Sequence, residues 1–320
     1  MQQTDVSVVI VNWNTRDLVL DCISSILANV QDLAIEIVVV DNNSSDGSVA
    51  AISERFPKVN IIASERNLGF AAGNNLGLRS ASGDYVLLLN PDTVVLDDAI
   101  RQMRDFLANR PDAGAVGCKL LNEDGSNQEC FWMRFPDTRW LLKQALYLNK
   151  LNRLETGALQ AVNQAFPVAH LLGACFMMRR SQLEELGGFD ESYFLYLEET
   201  DLFFRLADKG LAIYHMPGAR VVHYGQQSSR KAADWANVQL QRSMYQFLMR
   251  SGSCNVAARI TIKAVMLLAA GVRLTLWLAR LILGREDRHY AKRMLAGYAR
   301  LFCSVPRFVV ENRVCIERRK

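Results

Sequence analysis

The sequence predicts an α/β fold: a mostly parallel, twisted sheet with helices on both faces, followed by a helical C-terminal extension. Three observations predict it. Strand-like and helix-like stretches alternate four times within the first 90 residues. The strand-like stretches are continuous apolar runs, as strands covered on both faces require. Each run then stops abruptly on polar residues, and ligands of such sheets sit beyond the carboxyl ends of the strands.

The elements follow in order. SVVIVNWN (7–14) is a strand, and Leu18, Cys22, Ile26 and Leu27 give the helix after it an apolar side. IEIVVV (35–40) is the second strand, stopped by the turn cluster DNNSSDGS (41–48), with a short helix over 48–56. VNIIA (59–63) is the third, followed by the Gly- and Asn-rich NLGFAAGNNLGLRS. YVLLLN (85–90) is the fourth. AGAVGCKL (113–120) and AHLLGACFMMRR (169–180) read as further strands. Residues 130–166, rich in aromatics and amides without a clear period, are candidates to line an acceptor site. A helix over 197–210 closes on Gly210, and 211–225 reads as two short strands around a Pro-Gly turn. Residues 229–251 fit a polar helix. These readings divide the chain into a body, 1–228, and a basic helical region, 229–320.

The chain has 320 residues, half of them hydrophobic, so a sizeable core is available. Its seven cysteines are scattered without a CxxC pair, which indicates neither a zinc site nor a disulfide framework and fits a reducing cytosol. The N-terminus has no basic segment ahead of an apolar run, so no signal peptide is expected. The net charge of +4 conceals an asymmetry. From Arg250 onward fifteen Lys and Arg face four Asp and Glu, a net of +11, which leaves −7 on the first 249 residues. Residues 260–283 are the most hydrophobic segment, interrupted by Lys263, Arg273 and Arg280. An arginine near mid-span costs about 2.5–3.5 kcal/mol on insertion. The expectation is therefore a helix lying in an anionic membrane surface with its basic side chains toward headgroups, joined by a second basic helix over 288–303. A buried helical hairpin and a true span are the alternatives.

Several residues at the strand ends are suited to chemistry, and each also has an ordinary structural reading. Asp41 can accept a base N–H or ribose hydroxyls, or can serve a turn with Asn42 and Asn43. Gly69 and Gly73 let backbone approach a ligand closely, although the loop is neither GxGxxG nor a Walker loop. Pro91 ends its strand and presents Asp92 at the tip. One such carboxylate with phosphate oxygens can seat Mg²⁺, or it caps a turn. Glu198, Glu199 and Asp201 crowd three carboxylates into four residues, which raises at least one pKa and suits a general base. The same residues suit the positive end of a helix, and Asp201 can pair with Arg205. His223 can ligate a metal, contact phosphate or be structural.

Taken in order, SVVIVNWN, VVVDNNSSDGS, NLGFAAGNN, GDYVLLLNPDT, GACFMMRR, GGFDESYFLYLEETDLFFR and VVHYG resemble a family 2 glycosyltransferase of the GT-A fold, most closely the bacterial rhamnosyltransferase-like members. The resemblance runs from about residue 7 to 225. It implies a Rossmann-like sheet in which Asn12, Asp41, Asn43, Asn67, Asn90, Gly173 and Ala174 bind the nucleotide sugar. Asn90-Pro91-Asp92 takes the place of the family's DXD motif, so Asp92, with His223 as a second ligand, would hold Mg²⁺ or Mn²⁺. Glu198-Glu199 takes the place of the acidic pair. Glu199 would be the base, with Glu198 as its competitor and Asp201 in support.

The implied reaction is a single inverting displacement. It carries a sugar, with rhamnose from dTDP-rhamnose as the leading candidate, to a hydroxyl of a lipid-linked saccharide in cell-wall or surface-polysaccharide assembly. The implied location is peripheral, on the cytoplasmic face of the bacterial inner membrane. Gln239 and Arg242 have the spacing of the processive synthases' QxxRW motif, but Ser243 follows where Trp should, which favours single addition. The rival readings are a nucleotidyltransferase, a non-catalytic degenerate transferase module and a nucleic-acid binder. VNWNTRD lacks a Gly-rich basic phosphate loop, the acidic residues are intact, and the tail's Leu and Trp suit a bilayer better than nucleic acid.

Overall fold

The computed structural model describes residues 4–30, 32–145, 162–225, 233–252, 255–284 and 288–310. The chain divides into two compact units. One comprises Met1–Phe135, Ala158–Phe194 and Glu198–Ser228; the other comprises Pro136–Gly157, Leu195–Leu197 and Ser229–Lys320.

The first unit is built on a sheet. β1 (Val6–Asn12) is buried at every position and lies between β2 (Ile35–Asp41) and β4 (Tyr85–Leu89), parallel to both. β3 (Asn60–Ala63) adds to β2, again parallel. Beyond β4 the order continues through β10 (Cys175–Arg179), β6 (Ala113–Leu121), β11 (Ala212–His223) and β5 (Thr93–Val95), while β8 (Phe166–Val168) also pairs with β11. β7 (Phe131–Trp132) and β9 (His170–Leu171) form a separate small ribbon.

Six strands, β1, β2, β3, β4, β6 and β11, run in one direction, as expected of a mostly parallel sheet, while β10 runs antiparallel to both β4 and β6, and β5 and β8 run antiparallel to β11. The chain returns from the β7–β9 ribbon at the edge where β4 ends, so β10 must run the other way. One expectation needs correction: 211–225 is not a pair of strands around a turn. β11 keeps its direction along β6, and Pro217-Gly218-Ala219 form a bulge between the Met216–Cys118 and Arg220–Lys119 pairs. A bulge is where a sheet tolerates proline.

The helices pack by simple periodicity. α1 (Arg16–Asn29) buries Val19, Cys22, Ile23 and Ile26, and α4 (Ala99–Ala108) buries Ala99, Ile100, Met103 and Leu107. α2 (Ser48–Arg55) and α6 (Arg180–Glu185) are shorter covers. α3 (Phe70–Leu78) lies close against the sheet, with Gly73 and Gly77 facing β1. A Cβ at Gly77 would come within 2.5 Å of Val9 Cγ1, and one at Gly73 within 2.9 Å of Val11 Cγ1. α7 (Glu198–Asp208) is stopped by Gly210 in the left-handed region, as expected.

The second unit is helical. α5 (Thr138–Ala145), α8 (Ala233–Ser251), α9 (Val256–Ile282) and α10 (Arg288–Ser304) are its described helices, with α9 packed on α5 and α10. Residues 146–161, within the stretch expected to line an acceptor site, and the 228/229 boundary lie outside the described residues, as does the tail from 311. Asn255 caps α9 by accepting from the Ala258 amide at 2.8 Å. Along α9, Ile262, Met266, Ala269, Ala270 and Trp277 form one buried stripe. Val256, Ile260, Leu268, Leu276, Leu278 and Ile282 are exposed on the remainder. The helix is long and apolar enough to cross a membrane. Three of its four basic residues lie over aromatic rings: Lys263 over Tyr245, Arg273 over Tyr298 and Arg280 over Trp277.

The α3–β1 approach gives a direct test. Gly77→Ala should destabilise the protein by about 1–3 kcal/mol through overpacking against Val9, read as a lower urea midpoint. An unchanged midpoint would mean that α3 can move off β1 at no cost.

Candidate active site

The register of three parallel strands builds the site. Asn12 pairs with Asp41 and Ile10 with Leu89, so β1, β2 and β4 end at one edge. Asn12 Nδ2 donates to Asp41 Oδ2 at 2.9 Å, and the Ser44 amide donates to Asp41 Oδ1 at 2.9 Å. Thr15 Oγ1 donates to Asn12 Oδ1 at 2.7 Å, which fixes the amide that holds the acid. Asp41 is buried, and a carboxylate accepts up to about four hydrogen bonds. Capacity therefore remains for a ring N–H or a sugar hydroxyl.

The neighbouring asparagines divide their work. Asn42 is buried and binds the next loop three times: its Nδ2 donates to Asn67 Oδ1 at 3.1 Å and to the Gly69 carbonyl at 3.0 Å, and its Oδ1 accepts from the Leu68 amide at 2.8 Å. Asn67 Oδ1 also accepts from the Gly69 amide at 2.9 Å. Asn43 is exposed, on left-handed backbone with φ of 64°. Sequence reasoning singled out Asn43 and Asn67; the side chain that pins the loop is Asn42.

β5 and β11 bring Asp92 and His223 together although 131 positions separate them in sequence. His223 is the register partner of Thr93, and the Tyr224 amide donates to the Asp92 carbonyl at 3.0 Å. His223 Nε2 lies 3.4 Å from Asp92 Oδ1 and 3.4 Å from Asn90 Nδ2. On the other side of the ring, Nδ1 is 2.7 Å from Gln128 Oε1. Both Asp92 and His223 are buried. A carboxylate and an imidazole this close fit a divalent cation that takes its other ligands from phosphate oxygens and water. Among the described residues no group of three His, Cys, Asp or Glu could hold a metal alone. A cleft of about 430 Å³, lined by Asn122, Glu123, Asp124, His223 and Tyr224, opens beside the pair. A slightly larger concavity of about 470 Å³, lined by Gln102, Phe106 and Arg110 among others, includes none of the candidate residues.

The acidic cluster opens α7. Tyr196 and Leu197 precede it with φ of 69° and 64°, a costly pair of left-handed residues. Glu198 is buried, and Glu198 Oε2 and Glu199 Oε2 are buried without a hydrogen-bond partner among the described residues. Burial pushes Glu199 up to about 7, against the pull of backbone amides including Gly173. Burial, then the charge of Glu199, pushes Glu198 well above the carboxylate range. Gly173 lies directly against Glu199, where a Cβ would be 3.3 Å from its carboxyl carbon. The next residue, Ala174, accepts the Asn90 amide at 2.9 Å, so Glu199 connects through Gly173, Ala174 and Asn90 to the Asp92–His223 pair.

Asp201 behaves differently. Arg205 Nε donates to its Oδ2 at 2.8 Å and Tyr193 donates to its Oδ1 at 3.5 Å. The same guanidinium donates to the Leu186 and Gly188 carbonyls, which ties α7 to the Gly187-Gly188 loop. Asp201 is raised by burial and lowered by Arg205. Its oxygens point at protein partners, the structural pairing that the i,i+4 spacing allows.

Residues 7–187 match the family model described as glycosyl transferase family 2, and residues 156–227 match one described as the N-terminal domain of galactosyltransferase. The chain is 29 % identical over 219 residues to an N-acetylglucosaminyl-diphospho-decaprenol L-rhamnosyltransferase of Mycobacterium tuberculosis, covering 59 % of this chain and 66 % of the relative. It is 24 % identical over 253 residues to the rhamnosyltransferase WbbL of Escherichia coli strain K12, covering 77 % of this chain and 93 % of that one. Among solved structures it resembles the mannosyltransferase PcManGT of Pyrobaculum calidifontis in complex with GDP-Man and Mn²⁺. The TM-score is 0.56 at 18 % identity, over 95 % of this chain and 88 % of that one.

The buried acids make a stability prediction. A carboxyl raised in the folded state binds a proton that the unfolded chain has lost, so its contribution is present below about pH 4.5 and is lost as pH rises through about 7. Glu199→Gln should therefore stabilise the protein above neutral pH by about 1–2 kcal/mol and leave it unchanged near pH 4. Melting temperatures across that pH range read this, and equal shifts at both ends would contradict the burial assignment.

Proposed function

Starting from a chain that belongs to glycosyl transferase family 2 and carries the GT-A fold, we propose a metal-dependent, inverting transferase. It moves a sugar, with rhamnose from dTDP-rhamnose as the leading candidate, onto a hydroxyl of a lipid-linked saccharide in cell-wall or surface-polysaccharide assembly. The observation that carries this reading is the meeting of Asp92 and His223, 3.4 Å apart, beside the strand edge that holds Asp41. The two rhamnosyltransferases reported above support the choice of sugar, and the decaprenol-linked substrate in the name of one supports the class of acceptor.

Each residue then has a task. Asp41, steadied by Asn12, takes the base or ribose of the donor, with Asn43 and Asn67 on the adjoining loops. Asp92 and His223 hold Mg²⁺ or Mn²⁺, with Asn90 bridging toward Ala174. When bound there, the cation neutralises charge on the departing nucleoside diphosphate. Gly173 and Ala174 border the sugar. Glu199 takes the proton of the acceptor hydroxyl as that oxygen attacks the anomeric carbon from the face opposite the leaving group, which inverts the configuration. Its pKa of about 7 leaves it ionised often enough to act and basic enough to accept. Glu198 beside it is held protonated by burial and by the charge of Glu199, and Asp201 holds α7 through Arg205.

Residues 1–228 serve as the catalytic part and 229–320 as the membrane-associating part. The exposed apolar side of α9 and the basic residues of α10 support binding at an anionic surface, peripheral and on the cytoplasmic face of the inner membrane.

Two measurements test this. Calorimetric titration with dTDP, UDP and GDP, with and without Mn²⁺, should show metal-dependent binding of one diphosphate that Asp92→Ala abolishes. Binding that is the same without metal would remove Asp92 and His223 from this role. In the second, full-length protein should float with vesicles containing anionic lipid, and Leu268→Glu with Leu276→Glu should release it. Flotation unchanged by both substitutions would rule out the α9 face.

A further inference from the structure

The loop after β6 carries a run of side-chain hydrogen bonds that ends on His223. Asp124 Oδ1 accepts from Ser126 Oγ at 2.6 Å and from the Ser126 amide at 2.9 Å. Asn122 Nδ2 donates to Ser126 Oγ at 2.9 Å. Gln128 Nε2 donates to Asn122 Oδ1 at 3.2 Å, and Gln128 Oε1 faces His223 Nδ1 at 2.7 Å. The direction of this run is forced. An ionised carboxylate only accepts, so the Ser126 hydroxyl gives its proton to Asp124 and accepts from Asn122. Asn122 then offers its oxygen to Gln128, and Gln128 offers its oxygen to the histidine. The hydrogen on His223 must therefore sit on Nδ1.

A second anchor does not depend on the exposed end of the run. Gln128 Nε2 also lies 3.5 Å from the backbone carbonyl of His223. Turning the Gln128 amide over would set oxygen against oxygen at that carbonyl, which has no flipped alternative. Asn122 and Gln128 are half-buried, whereas Asp124 and Ser126 meet solvent, so water competes at the outer links and the inner one dominates. With Nδ1 carrying the hydrogen, Nε2 presents a lone pair. Asn90 Nδ2 donates toward it at 3.4 Å, and Asp92 Oδ1 is the same distance away. A lone pair beside a carboxylate oxygen is a repulsive contact unless a positive charge joins them.

We propose that Gln128 is a positioning residue: with Asn122, Ser126 and Asp124 it holds His223 in the Nδ1–H tautomer and reserves the Nε2 lone pair for a divalent cation shared with Asp92. The cation part rests on the proposed metal-dependent function; the tautomer part does not. A partner on the second imidazole nitrogen fixes both ring orientation and ligand strength at metal sites.

The test reads the tautomer directly. The chain has four histidines, so long-range ¹H–¹⁵N correlation of ¹⁵N-histidine-labelled full-length protein at alkaline pH is tractable, with His223→Gln for assignment. His223 should carry its hydrogen on Nδ1. Gln128→Leu should shift the tautomer ratio toward Nε2–H about fivefold to tenfold, the effect of one net hydrogen bond. Gln128→Glu, which still accepts from Nδ1–H, should keep the native form. The buried His170 and His215 report in the same spectra that each variant is folded. A native protein with Nε2–H, or a Gln128→Leu spectrum with His223 unchanged, overturns the proposal.

In parallel, Mn²⁺ binding in the presence of dTDP, read by electron paramagnetic resonance, should weaken about 10- to 100-fold in Gln128→Leu and recover in Gln128→Glu. Mn²⁺ binding lost in Asp92→Ala but unchanged in Gln128→Leu would overturn the positioning role and leave the metal reading intact. Tautomer shifts as expected, with no Mn²⁺ binding to any form, would leave the hydrogen-bond run standing and remove the metal reading beneath it.

Discussion

The parallel register that sets Asn12 opposite Asp41 and Ile10 opposite Leu89 governs everything at the sheet edge. Three buried strands run out of apolar residues at the same level, and their next residues must be polar because backbone and ligand both reach that edge. A slip of one residue in β1 would turn Asn12 away from Asp41 and put apolar side chains where the loops are tied. The glycines of α3 add a matching restraint, since only a helix without side chains at 73 and 77 can lie that close to Val9 and Val11. Strand pairing and helix packing therefore fix the same three loops.

Around that edge the structure tolerates several unfavourable features. Two carboxyl groups are buried at the start of α7, two consecutive residues adopt left-handed backbone, and an imidazole faces a carboxylate. The positive end of the helix offsets part of the first. The pair of buried Asp201 and half-buried Arg205, tied to two carbonyls, restrains α7. Unfavourable groups held by well-satisfied neighbours are a mark of sites shaped by chemistry.

Much of this was legible in the sequence. Continuous apolar runs identified β1 to β4, and their polar endings identified Asn12, Asp41, Asn90 and Asp92. What the sequence hid was direction and partnership. Nothing in CFMMR says that β10 runs backwards, because that depends on where the β7–β9 ribbon delivers the chain. Pro217-Gly218 reads as a reversal, yet β6 alongside carries the strand through it as a bulge. Asn42 and Asn43 are identical in composition, and only the left-handed backbone at Asn43 decides which side chain is buried. Gln128 has no periodic or spacing signal at all. Its significance comes from a loop folded against a strand nearly a hundred residues later.

The second unit is assembled from three separated stretches of chain, one of them 136–157, far upstream of the rest. α5 lies in that stretch and packs on α9, and Leu141 is only 2 % exposed. A single cut after the last strand would therefore not separate the two units. It would leave α5 behind as an amphipathic helix with Leu141 uncovered, prone to stick to other chains. The dividing line between the two units runs through the fold and not through one point in the sequence.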